Sequence, residues 1–129
     1  MRAALFDVFG TLLDVYSVTR SAEKMFPGRG AQLAALWRDK QIEYSRVRSM
    51  SGRYVPFSQV TREALEYAVQ AMNLPVDSMQ LTALQDEYKR LAPFIDVAPA
   101  LDRLQRAGVQ TGVLSNGDSE MLETALVTS

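Results

Sequence analysis

The chain has neither cysteine nor histidine among its 129 residues. Disulfides, thiolate nucleophiles, Cys/His metal sites and a Ser-His-Asp triad are therefore excluded for it. Any chemistry must run on carboxylate, hydroxyl, amide, lysine or arginine groups. An excess of one charge is lacking too: 14 Lys and Arg stand against 15 Asp and Glu, a formal net charge of -1. Arg46, Arg48 and Arg53 cluster, but no aromatic-interleaved basic stripe accompanies them. They read as a solvated helix face, and nucleic acid is not an expected partner. No apolar run approaches the ~20 residues needed to span a bilayer. Met1-Arg2 leads straight into a strand-like run without a leader pattern. The expectation is a cytoplasmic protein with no membrane partner.

What is present is core-forming material, 47% hydrophobic, enough for one globular domain. Ala3-Ala4-Leu5-Phe6 is short, continuously apolar and followed by Gly10, which predicts a buried strand. A second such run, Val109 to Leu114, ends in Ser115-Asn116-Gly117. Between them the pattern is helical. From Ala31 to Met50, residues Leu33, Leu36, Trp37, Tyr44 and Val47 form one stripe, with Pro27-Gly28 and Gly30 marking its start. Ser58 is placed to cap a second helix carrying Val60, Ala64, Tyr67, Ala68 and Ala71, stopped by Asn73-Leu74-Pro75. Asp77 and Gln80 have capping-box spacing before Leu81, Leu84, Tyr88 and Leu91. A further helix, Ala98 to Ala107, is closed by Gly108, and another is expected from about Asp118.

Buried strands separated by helices imply a parallel sheet with right-handed crossovers. The helical block from about Val15 to Pro93 exceeds what one crossover needs, so it reads as a bundle inserted over the strand ends. Two strands make a very small sheet, and the sequence reads as the front part of a larger domain.

Ligands of open parallel sheets bind beyond the carboxyl ends of the strands. Asp7 ends the first strand and Ser115-Asn116 the second, so neighbouring strands would bring them to one crevice. Gly10 allows a close backbone turn, and Thr11 brings a hydroxyl and the first N–H groups of an expected helix, a setting for anions. The local pattern also admits a plainer reading. Asp before a turn is often a cap, Thr11 with Asp14 resembles a capping box, and Ser-Asn-Gly is ordinary turn chemistry.

"FDVFGTLLD", Phe6 to Asp14, resembles the first motif of the haloacid dehalogenase superfamily, and "LSNG" the second. "FPGRG", "LWRDKQIEYSRVRSM", "RYVPF" and "YKRLAPF" resemble the helical cap of its type II (S)-2-haloacid dehalogenases. The match covers nearly the whole chain. It implies an α/β fold with a Rossmann-like parallel sheet, incomplete at about two strands, and an inserted helical cap. The division would be a partial core over 1–14 and 94–129 and a cap over 15–93.

The resemblance makes Asp7 the nucleophile, attacking the halogen-bearing carbon to form an ester that water then opens to a 2-hydroxy acid of inverted configuration. Thr11, Ser115 and Asn116 match groups that bind the nucleophile or the substrate carboxylate, and Arg38 matches the cap arginine that receives the halide. Phe9, Ile42 and Phe57, with Leu12, resemble the apolar wall of the pocket. Gln41, Ile42 and Ser45 lie three, four and seven residues after Arg38, on the same helix face. An arginine there borders a buried region, as a halide site or as a snorkelling interface residue.

Most superfamily members are phosphatases with a second Asp two residues after the nucleophile and a bound Mg²⁺. Here that position is Phe9, which can neither donate a proton nor help hold a metal. A halide leaving group needs solvation by a cation rather than a proton. No metal and no cofactor are expected; the partners are a 2-haloacid and halide, with a homodimer as the assembly. The family also uses a Lys and an Asp from later strands, and none of Lys24, Lys40 and Lys89 matches that Lys. Two alternatives stay open: a non-catalytic relative acting as a binding or folding fragment, and a superfamily phosphatase.

Overall fold

A computed structural model describes residues 2–115. Asn116, and the helix expected from Asp118, lie outside the described residues. Strand β1 (Ala3–Phe6) pairs in parallel with β4 (Gln110–Val113), in the register Ala3 opposite Gln110 through Phe6 opposite Val113. Both strands were expected to be buried, yet Leu5 is 68% exposed. This sheet has only two strands among the described residues, and none of those residues covers the Leu5 face of the pair. Helix α5 (Val97–Arg106) also has no buried residue. Gly108, at φ 76°, ends it as its position in sequence predicts.

The crossover from β1 to β4 holds the rest. The chain turns through residues 7–12 into a two-residue strand, β2 (Leu13–Asp14), and a 3-10 turn, Val15–Val18. Helices α1 (Thr19–Met25), α2 (Gly30–Ser51), α3 (Phe57–Ala71) and α4 (Ser78–Asp86) follow, and β3 (Ala92–Pro93) returns antiparallel to β2. The α1–α2 corner is tight. Gly30 lies against Glu23, where an added Cβ would meet backbone nitrogen at 2.6 Å. The Glu23 carboxylate accepts from the backbone N–H groups of Gly28 and Gly30.

The core lies within the helical block and the turn that feeds it. Leu33 and Trp37 of α2 meet Ala64, Leu65 and Ala68 of α3, together with Leu84, Tyr88, Leu91 and, from the turn, Val8 and Leu13. Val47, expected on the buried stripe, is 56% exposed, because the stripe drifts off the α3 contact towards the end of α2. Tyr67 is likewise exposed, its ring edge-on to Tyr44. Ser58 does not cap α3: it lies inside that helix, whose N-cap is Pro56. The Asp77–Gln80 capping box does form, each side chain accepting from the other's backbone N–H.

Candidate active site

Asp7 is the first residue past β1, where the chain leaves the strand and enters a tight turn. The Val8 carbonyl accepts from the N–H groups of Thr11, Leu12 and Leu13, and Gly10 N–H donates to the Leu13 carbonyl. Gly10 holds φ 92°, a conformation that other residues adopt only under strain. Thr11 Oγ1 stands 3.3 Å from Asp7 Oδ2 as donor. No helix begins at Thr11 and no Thr11–Asp14 capping box forms. Asp14 instead accepts from Tyr16 N–H at 3.0 Å, since β2 takes up Leu13 and Asp14 before a helical turn can start.

Arg38 reaches this turn from α2. Its Nη2 donates to the Phe9 carbonyl at 3.2 Å and its Nη1 to Gln41 Oε1 at 2.7 Å. Gln41 is fully buried, and its Nε2 donates to Thr61 Oγ1 at 2.9 Å. Thr61 Oγ1 in turn donates to the Phe57 carbonyl at 2.8 Å. Beneath lies an aromatic floor: Phe9 stacks tilted on Phe57 at 5.6 Å and on Tyr88 at 6.1 Å, and Trp37 meets Tyr88 at 4.9 Å. Burial pushes the Tyr88 phenol well above its usual range, so it stays an O–H donor.

Asp7, Phe9, Arg38, Ile42, Ser45, Arg46, Phe57 and Ser115 line one cavity of about 290 Å³. The structure thus brings together six of the residues singled out in the sequence, with Thr11 joined through its hydrogen bond to Asp7. Leu12 is not in that wall. It is 9% exposed and packs in the core, because the turn at Gly10 carries it away from the crevice. Arg46, read as part of a solvated face, is exposed as expected and also lines the cavity, while Arg48 pairs with Glu63 at 2.6 Å. The spacing 38, 42, 45, 46 puts all four on one side of a helix, and that signal could have found Arg46. No group of three or more acidic, His or Cys side chains able to hold a metal ion occurs among the described residues.

A carboxylate and a guanidinium line one cavity beyond a parallel strand, under helices supplied by the crossover, in an α/β protein whose candidate ligand site lies at the carboxyl edge of its sheet. A family model described as haloacid dehalogenase-like hydrolase matches residues 1–128, and the chain belongs to that family. The (S)-2-haloacid dehalogenase of Pseudomonas sp. strain YL is 40% identical over 126 residues, 98% of this chain and 54% of that protein. Its counterpart from Xanthobacter autotrophicus is 43% identical over 123 residues, 95% of this chain and 48% of that protein. The solved structure of the Xanthobacter autotrophicus L-2-haloacid dehalogenase with chloropropionic acid covalently bound superposes with a TM-score of 0.91 at 40% identity, covering 99% of this chain and 51% of that one. The chain spans about half the length of the curated relatives it matches.

Proposed function

We propose that this chain carries the reacting centre of an (S)-2-haloacid dehalogenase, a hydrolase acting on carbon–halide bonds. The observation that carries the reading is the placement of Asp7 and Arg38 in the wall of one cavity, with an aromatic ring, Phe9, two residues after the carboxylate. A carboxylate oxygen of Asp7 attacks C2 of the substrate from the side opposite the halogen. The carbon–halogen bond breaks, and its electron pair leaves with the halide towards Arg38. Water then adds to the carbonyl carbon of the Asp7 ester. The ester C–O bond breaks, restoring the carboxylate and releasing a 2-hydroxy acid of inverted configuration and a proton. A carboxylate held against the carbon acts at high effective concentration, so the displacement does not wait on free water.

Thr11 steadies Asp7 through their hydrogen bond, Ser115 and Asn116 are assigned to bind the nucleophile or the substrate carboxylate, and Phe9, Ile42 and Phe57 enclose the alkyl part. Phe9 offers no proton and no metal ligand, which suits a halide leaving group and not the alkoxide of a phosphate ester. The division into a core (1–14 and 94–129) and a cap (15–93) belongs to the same proposal. It is supported by the β2–β3 pairing, where the chain enters the helical block and leaves it. A cytoplasmic location and a homodimer complete the reading; cell fractionation and light scattering test them.

The deciding experiment is halide release from (S)-2-chloropropionate without added metal, with Asp7→Asn alongside and mass spectrometry of the protein. Turnover that vanishes in Asp7→Asn supports the proposal. A burst matching the chain concentration, with an ester on Asp7, supports the first half-reaction and places the arrest at hydrolysis. Neither release nor adduct overturns dehalogenation by this chain. That last outcome would favour a second reading, a binding fragment without turnover.

A further inference from the structure

Gln41 sits one turn after Arg38 on α2, with none of its side chain exposed. Its neighbours dictate which way its amide faces. Thr61 Oγ1 gives its only proton to the Phe57 carbonyl and so presents an acceptor to Gln41. Gln41 Nε2 donates to that acceptor, which turns Oε1 towards Arg38. Oε1 accepts from Arg38 Nη1 at 2.7 Å and from the Tyr88 hydroxyl at 3.5 Å. The guanidinium is therefore gripped at both ends of its fork, by Gln41 Oε1 and by the Phe9 carbonyl. Both acceptors are neutral. A guanidinium has five N–H donors, so three remain after these two bonds. A carboxylate at position 41 could grip the same fork, but it would cancel the charge beside the cavity.

Resting on the dehalogenase reading, we infer that Gln41 is a positioning residue for halide departure, fixing the Arg38 guanidinium in the cavity wall through a neutral acceptor that leaves its positive charge for the halide. The relay Phe57–Thr61–Gln41–Arg38 transmits that orientation from α3, where the aromatic wall of the same cavity begins.

The test compares the wild-type chain with Gln41→Glu, Gln41→Met and Arg38→Lys. Chloride binding is read from the quadrupolar broadening of the chloride NMR signal, and folding from circular dichroism and Tm. The wild-type chain should broaden chloride and Arg38→Lys should not. Gln41→Glu keeps the Arg38 contact but gives up the donor to Thr61 Oγ1; folded protein should bind chloride roughly tenfold more weakly. Gln41→Met, of similar length and without an acceptor, should also bind more weakly and supplies the result if the glutamate variant fails to fold. Where halide release is measurable, both variants should slow chloride departure more than bromide departure, a leaving-group dependence that a merely structural glutamine would not produce. Folded variants that bind chloride as well as wild type overturn the role of Gln41 and leave the dehalogenase reading intact. A wild-type chain whose chloride signal is no broader than that of Arg38→Lys overturns the halide role of Arg38 and the inference with it.

Discussion

Arg38 and the carbonyl oxygen of Phe9, 29 positions apart in sequence, meet at 3.2 Å. The contact fastens α2 to the turn after β1 and brings a cation to the cavity that the Asp7 carboxylate also lines. A lysine ammonium is compact and lacks the planar fork that reaches Phe9 and Gln41 together. Arg38→Lys is therefore expected to keep the fold and to slow halide release by ~10²-fold, as loss of one aligned charge-stabilising donor does. Initial rates with 2-chloro- and 2-bromopropionate check it, and equal rates in the two proteins would refute it.

Gly10 is the second point of contact between these elements. Its φ is 92°, and a Cβ there would stand 3.3 Å from Arg38 Nη2. Gly10→Ala should lower stability by about 1 kcal/mol through backbone strain. It should also disturb the Arg38–Phe9 bond. A lower urea midpoint together with a lower release rate is the expected pair of results; an unchanged midpoint would contradict the strained turn.

Arg46 lines the cavity from further along α2. An exposed cation near the proposed anionic substrate acts mainly on encounter, and salt screens that effect. Arg46→Ala should raise KM by roughly threefold to tenfold at low ionic strength with kcat unchanged. The gap should close as salt is added. Steady-state kinetics at two salt concentrations decide it.

Backbone N–H donation from Gly28 and Gly30 holds the Glu23 carboxyl below its usual value of 4.5. A depressed folded-state pKa contributes stability above the unfolded value and loses it as pH falls through the folded one. Glu23→Gln should therefore be less stable than wild type at neutral pH, and the difference should shrink below pH 4.5. Urea midpoints across that range test the sign; a gap that widens on acidification would refute the account.

Much of this was legible in the residues because the signals are local. The stripe through Leu33 and Trp37 defined α2, Asp77 with Gln80 defined the start of α4, and Gly108 the end of α5. Asp7 and Ser115 were legible as strand-end groups, and they share a cavity because β1 and β4 pair in parallel. What failed depends on distant partners. Strands β2 and β3 are two residues each and exist only through each other, over a separation no local pattern encodes. The exposure of β1 and β4 reflects what packs on the sheet, not its own apolar run. Leu12 was misplaced for a geometric reason, since the turn at Gly10 decides which side it occupies, and the cavity role of the exposed Arg46 was missed because one helical face decides what it lines.

The pairing of Ala3 with Gln110 also fixes an order of events. Closing so long a loop costs more chain entropy than any contact within the helical block, where α2 and α3 are joined by a short link. The helices are thus expected to condense first, with the β1–β4 ladder zipping onto a bundle already formed. In pulse-labelling hydrogen exchange, amides of α2 and α3 should gain protection before those of β1 and β4. Arg38 would then be in position before Ser115 arrives, and the cavity would be the last part of the fold to be assembled.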